Sequence, residues 1–331
     1  MEEILKKVFS GDRRTVARAI TMVENRDPRR YRMLAGLRSK ASHALVVGIT
    51  GSPGAGKSAL VDRLTTEYRR KGLTVGIIAV DPSSPFTGGA LLGDRIRMQQ
   101  HATDPGVFIR SMGTRGSLGG LSRAAGEAAQ ILAAGGKDII LIETVGVGQS
   151  EMEIMKIADT TVVVLTPGAG DSIQTIKAGI MEIADVFALN KADLPGARRM
   201  AREVRVMVET NCHGAPWCPP VIETVTINGQ GVTELVQAIE NHCQYLTESG
   251  KLEEKRRQRV LDELSETIIS LFGEWLGRQG QQQGLLTSAA KQIASGQVDP
   301  YGAAVAVLQE MFAGGLKEEG YSFSGQEAFK K

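Results

Sequence analysis

Gly51, Ser52, Pro53, Gly54, Ala55, Gly56, Lys57 and Ser58 stand between an unbroken apolar run, residues 44–50, and a stretch of helical periodicity, residues 59–71. The octet fits G-x-x-x-x-G-K-[ST], and a strand before it with a helix after it is the setting in which that pattern binds phosphate. Glycines let successive backbone N–H groups turn inward around phosphate oxygens, and the helix N-terminus adds a positive dipole. The spacing predicts Lys57 on the β- and γ-phosphates of a nucleotide and the Ser58 hydroxyl on Mg²⁺, with Ala59 and the loop amides lining the phosphates.

Short apolar runs recur at 74–80, 107–110, 138–142, 161–165, 186–189 and 221–225, most of them separated by helical patterns at 121–134, 173–184, 197–210 and 233–246. Runs without polar alternation are strands buried on both faces, hence parallel and covered by helices. The expected fold class is α/β: a P-loop NTPase three-layer sandwich with a mostly parallel central sheet, plus N- and C-terminal helical extensions. Residues 1–40 read as an N-terminal helical arm, with Leu5, Val8, Val16, Ile20 and Val23 at roughly helical spacing. Residues 41–248 form the nucleotide domain and 249–331 a helical appendage. In the appendage an amphipathic helix over 251–272 carries Leu261, Leu264, Ile268 and Leu271 on one stripe. A Gln- and Gly-rich break at 279–284 and a second helix at 301–312 follow. Lys255, Arg256 and Arg257 read as a solvated helix face.

Asn190, Lys191 and Asp193 follow the run 186–189 in the pattern N-K-x-D. An aspartate there can accept hydrogen bonds from guanine's ring N–H and exocyclic amine, a pattern adenine does not offer. Asn190 can meet the other base edge and the Lys191 stem can cover the ring, so the nucleotide is expected to be GTP or GDP. Glu143 ends an apolar run and Gly146 follows, where such enzymes place an acid for the Mg²⁺ shell and an amide that senses the γ-phosphate. Asp81 and Asp94 follow strands. The reading gives Asp81, Asp94 and Glu143 to the metal shell, Asp94 on a switch that closes over GTP. Capping of the next helix is the alternative for Asp81 and Asp94. No side chain stands out as a general base, and phosphoryl transfer needs little beyond positioning and charge neutralisation. Arg95, Arg97, Arg110 and Arg115 are candidates for stabilising the γ-phosphate or for facing solvent or a partner.

Composition narrows the partners. With 5% aromatic residues and a formal charge of +2, neither base stacking nor a basic surface points to nucleic acid or anionic lipid. No apolar run approaches the ~18 residues that cross a bilayer. Cys212, Cys218 and Cys243 are too few for a disulfide framework and fit a reducing compartment. The charged first 14 residues lack a signal-peptide core, so a cytoplasmic location is expected.

Three long strings carry a more specific signal: DPSSPFTGGALLGD at 81–94, IRSMGTRGSLGG at 109–120 and ETVGVGQSE at 143–151. They closely resemble the MeaB/ArgK GTPases, bacterial relatives of the human methylmalonic aciduria type A protein, over roughly residues 5–275. The resemblance implies GTP hydrolysis and a chaperone role toward an adenosylcobalamin-dependent acyl-CoA mutase, usually methylmalonyl-CoA mutase. GTP would gate cofactor loading, and the chaperone would protect or reactivate the mutase. It implies that 167–177 is a further switch, with Lys177 its coupling residue beside Lys57, Asp94 and Glu143. Read locally, the same segment is a helix start capped by Asp171 or Ser172. The family's Ser-Ala pair, whose backbone contacts the guanine oxygen, falls on Thr226 and Ile227 here. The resemblance also implies a homodimer through the C-terminal helices. We find no cobalamin-ligating motif in the chain. The alternatives are a nickel-insertion GTPase, for which Cys212, His213 and Cys218 are the soft ligands, and a kinase linked to amino-acid transport.

Overall fold

The computed structural model describes residues 1–38, 44–81, 99–113, 118–144, 156–168, 181–282 and 284–313, with backbone alone for 81, 99, 118–122, 181, 274, 278–282, 312 and 313. The chain opens with helices α1 (Glu2–Phe9), α2 (Arg13–Glu24) and α3 (Arg30–Arg38). Strand β1 (Leu45–Gly51) leads through the glycine loop into α4 (Lys57–Arg70), followed by β2 (Val75–Asp81), β3 (Val107–Gly113), α5 (Leu118–Ala134), β4 (Ile139–Thr144), β5 (Thr160–Leu165) and β6 (Val186–Asn190). Then come α6 (Ala197–Asn211), β7 (Val221–Thr224), α7 (Val232–Glu248), α8 (Lys251–Gln282), α9 (Leu285–Ala294) and α10 (Pro300–Ala313).

The seven strands form one parallel sheet in the order β3-β2-β4-β1-β5-β6-β7. Side chains alternate between its faces with a period of two. Val46, Ile78, Val80, Ile140 and Ile142 meet α1, α2, α3 and α5 on one face. Val47, Ile49, Ile77, Leu141, Val162 and Val164 meet α4 and α7 on the other. On β5 and β6, Val163, Leu165, Phe187 and Leu189 pack under α6 through Met200, Ala201, Val204 and Val208. This is the expected three-layer sandwich.

The strand order places the site. From β1 the chain moves outward to β2 and β3, returns to β4, and then crosses β1 to reach β5. Parallel sheets bind ligands at such a reversal, beyond the carboxyl ends of the strands. Gly51, Asp81, Thr144, Leu165, Asn190 and Thr224 all end their strands on that edge.

Several expected boundaries move. β3 runs on to Gly113, because an edge strand tolerates the polar Arg110 and Ser111. α8 continues through the glutamines to Gln282, good helix formers that override the glycines among them. α9 falls where no helix was expected. The chain divides into two compact units, Met1–Arg259 and the part from Val260 onward. In the second unit Ala303, Val307 and Met311 recur every four residues on α10 and are buried. No helix among the described residues is long and apolar enough to cross a membrane.

Lys255 and Arg256 correct the reading of a solvated basic face. Asp159, at 0% exposure just before β5, accepts from the Val46 N–H and from Arg256 and Arg259. Lys255 Nζ donates to its carbonyl at 2.9 Å. Arg257 alone of the three is exposed. A carboxylate buried beside a sheet needs cations, and α8 supplies them. Burial pushes the Asp159 carboxyl up, but the Arg256 hydrogen bond and the charges of Arg259 and Arg256 outweigh it and hold it below its ordinary 3.8. A carboxylate with a depressed folded value stabilises above the unfolded value and loses that contribution as pH falls through the folded one. Asp159→Asn should therefore lower stability by about 2 kcal/mol at neutral pH, discounted because the arginines are part-exposed. In thermal melts its gap from the parent should close as pH falls below 3.8; a gap that persists unchanged in acid would remove the charge from the account.

Candidate functional site

The loop between β1 and α4 needs its glycines for contact as well as for conformation. Gly51 has φ 139°, and a Cβ there would lie 2.1 Å from the Val164 carbonyl oxygen. Gly56 has φ 90°, and a Cβ there would lie 2.4 Å from Asn190 Nδ2. The loop is thereby pressed between β5 and the residues that end β6. Between these points Ala55 is buried, its N–H donating to Ser52 O at 3.2 Å, while Pro53 and Gly54 face outward. Gly56 caps α4 without a side-chain hydrogen bond, so no side chain competes for the first amides of the helix. Ala59 lies in that first turn, exposed.

Lys57 is 5% exposed, and its ammonium donates to Gly51 O at 2.6 Å and Ser52 O at 3.0 Å. It lies folded over the loop that it would share with a phosphate. Beside it the Ser58 hydroxyl donates to Glu143 Oε1 at 2.6 Å, both residues buried. Glu143 stands opposite Ile49 on β1 and Ala79 on β2. The Thr144 hydroxyl, next to it, donates to Thr50 Oγ1 at 3.2 Å and ties the ends of β4 and β1 together. Asp81, whose backbone alone is described, lies two residues past Ala79 on the same edge.

Across the edge lies the second group. Asn190 is 0% exposed. Its Nδ2 donates to Ala55 O at 2.8 Å, and its Oδ1 accepts from the Thr224 hydroxyl at 3.3 Å and the Thr226 N–H at 3.4 Å. The sequence places Asn190 on a base edge; here its carboxamide joins the phosphate loop to the loop after β7. Lys191 has φ 57°, unusual for a non-glycine residue, and its Nζ reaches Gly54 O at 2.8 Å, so its stem spans the gap between the two loops. Asp193 is exposed in the turn closed by the Leu194 N–H on Lys191 O. Thr226 is 7% exposed and Ile227 84%.

Sequence reasoning missed Arg63. From α4 its Nε donates to Thr226 O at 2.8 Å and its Nη2 to Ile227 O at 2.6 Å. Nothing local separates it from Arg69 and Arg70 on the same helix; the partner loop is far away in the chain. Arg110 is placed away from a phosphate role: it pairs with Glu24 and donates to Thr21 Oγ1, both on α2. Asp94, Gly146, Lys177, Arg95, Arg97 and Arg115 lie outside the described residues. Burial, then the neighbouring Cys218, pushes the Cys212 thiol up to about 11, which disfavours the thiolate that a soft metal needs. Among the described residues no three His, Cys, Asp or Glu side chains are grouped to hold a metal ion.

The family model for the methylmalonyl-CoA mutase-associated GTPase MeaB matches residues 16–275. The chain belongs to the MeaB family of P-loop GTPases. A protein of Pyrococcus abyssi with a provisional GTPase name is 48% identical over 319 residues, 96% of this chain and 98% of its own length. The mitochondrial methylmalonic aciduria type A homolog of Caenorhabditis elegans is 32% identical over 335 residues, covering 94% of this chain and 83% of its own. A crystal structure described as a LAO/AO transport system kinase superposes with a TM-score of 0.68 at 28% identity, over 94% of this chain and 97% of that one. As a MeaB-family chain, this protein carries its phosphate loop, its buried Ser58–Glu143 pair and its N-K-x-D segment on one sheet edge.

Proposed function

We propose that the chain is a Mg²⁺-dependent GTPase that serves as chaperone to an adenosylcobalamin-dependent acyl-CoA mutase, with methylmalonyl-CoA mutase the first choice. The observation that carries the reading is family membership across residues 16–275, and the site's chemistry agrees with it. Ser58 and Glu143 fit a hard divalent cation. The hydroxyl's one proton goes to the carboxylate, which leaves its lone pairs for a metal. Mg²⁺ suits few protein oxygens, taking its other ligands from nucleotide phosphates and water. When bound, it neutralises charge on the β- and γ-phosphates. Asp81 and Asp94 complete the acidic shell in this reading.

The chain's own residues do the positioning. The Lys57 ammonium exchanges two neutral carbonyls for phosphate oxygens, where donor and acceptor are both charged and the hydrogen bonds are stronger. The amides of residues 51–59 hold the phosphates, Asp193 reads the guanine donors, and Thr226 and Ile227 supply backbone contacts to the base. Gly146 senses the γ-phosphate, and Lys177 couples that state to the partner. The protein is cytoplasmic and homodimeric in this proposal. Leu261, Leu264 and Ile268, at 50%, 54% and 57% exposure, form a stripe along α8 that a second copy would cover.

Size-exclusion chromatography with light scattering tests both associations. The protein alone should have twice the monomer mass. With a purified acyl-CoA mutase it should co-elute in a manner that depends on GTP or a non-hydrolysable analogue versus GDP. A monomer would sink the dimer, and elution apart from every such mutase under all nucleotide conditions would sink the partner.

A further inference from the structure

We propose that Arg63 is a positioning residue for guanine recognition: its guanidinium turns the 226–227 peptide so that the Ile227 N–H is presented to the base oxygen. The inference rests on the guanine-nucleotide reading above and deepens it, by naming what keeps the base loop's donor aimed. The bonds to Thr226 O (2.8 Å) and Ile227 O (2.6 Å) come from one planar fork, which fixes direction as well as distance. The described peptide bonds are trans, and in a trans peptide the C=O and the N–H that follows it point in opposite directions. With Thr226 O turned onto Arg63, the Ile227 N–H faces away from Arg63.

The neighbouring donors are engaged. The Thr226 N–H goes to Asn190 Oδ1 at 3.4 Å and the Asn228 N–H to Val225 O at 3.3 Å. The Ile227 N–H has no acceptor among the described residues. The loop also stands beside the base-reading segment, since Thr224 pairs with Asn190 across β6 and β7 and Thr224 O accepts from the Ala192 N–H at 3.1 Å. The turn closes on its own backbone through Val225 O and the Val225–Gln230 bridge. The Ile227 side chain is 84% exposed, so its packing does not aim the 226–227 peptide, and the Arg63 fork sets the direction of the two carbonyls. A fixed N–H favours guanine, which offers a carbonyl oxygen, over adenine, which places an amine donor there.

The test is calorimetric binding of GDP, inosine diphosphate, 6-thioguanosine diphosphate and ADP to the full chain, its Arg63→Ala variant and its Arg63→Lys variant. Thioguanine keeps the ring N–H and the amine but offers sulfur, a weak acceptor, in place of oxygen. The parent should prefer GDP over the thio analogue by about tenfold. Arg63→Ala should weaken GDP and inosine diphosphate about tenfold and move the thio analogue by no more than about twofold, collapsing that preference. Arg63→Lys, able to hold one carbonyl at a time, should fall between. An equal loss for every nucleotide, or no loss, overturns the proposal, because a loosened helix affects all ligands alike. A parent protein that binds ADP as well as GDP overturns the guanine reading itself, and that result is read without any variant.

Discussion

With Lys57 replaced by alanine, the protein should lose tight GTP binding: Kd rises a hundredfold or more, about 3 kcal/mol. The ammonium sits 5% exposed against Gly51 O and Ser52 O, so it enters the bound state already desolvated and placed. What it gains there is the difference between hydrogen bonds to neutral carbonyls and bonds to charged phosphate oxygens. Its bonds to carbonyls are charged on the donor side only, whereas against phosphate both partners are charged, and removing one partner of such a desolvated pair costs about 2–5 kcal/mol. Alanine also leaves the two loop carbonyls without this donor, which lowers stability separately. Melting without nucleotide measures that part, and calorimetry with GTP measures the rest. Near-normal GTP affinity in a folded Lys57→Ala protein would remove the glycine loop from nucleotide binding.

Asp193→Asn should transfer preference from GTP to xanthosine triphosphate. A carboxylate accepts from both guanine donors, the ring N–H and the amine. An amide can accept only one and turns its own N–H toward the other, leaving two donors facing each other. Xanthine carries a carbonyl where guanine carries the amine, and the new amide satisfies it. Two donors facing each other against the bound base leave both unpaired, so a loss of roughly 10²-fold for GTP is expected. Among the described residues the exposed Asp193 side chain makes no hydrogen bond to a loop, unlike Asn190, so the substitution leaves the described scaffold intact. Competition binding with the two nucleotides checks it, and unchanged selectivity would take Asp193 out of the base site.

The contrast between these two neighbours shows how far local pattern reaches. The placement of Lys57, Ser58 and Asp193 at one sheet edge was legible because motif spacing sets them beside strands and a helix that the hydrophobic pattern also reveals. The sheet was legible for the same reason: strands buried on both faces read as apolar runs, and β3 ran past its apolar part because it lies at the edge. Long-range pairing left no such trace. Arg256 and Lys255 look like any solvated helix charge until Asp159 is placed under them. Arg63 meets a loop more than half a nucleotide domain away in the chain. Asn190 matched its motif, yet its carboxamide serves the junction of two loops. Helix α9 escaped notice because Gly284 precedes it and no side chain caps its start, which removes the usual N-terminal signature.

The most direct test of the account follows the γ-phosphate of labelled GTP with the purified protein and Mg²⁺, alone and with an adenosylcobalamin-dependent acyl-CoA mutase. The expected result is release of the label to water as inorganic phosphate, preference for GTP over ATP, and slow turnover that the mutase accelerates. Label appearing on an acceptor molecule, ATP consumed as readily as GTP, or turnover indifferent to every such mutase would contradict it.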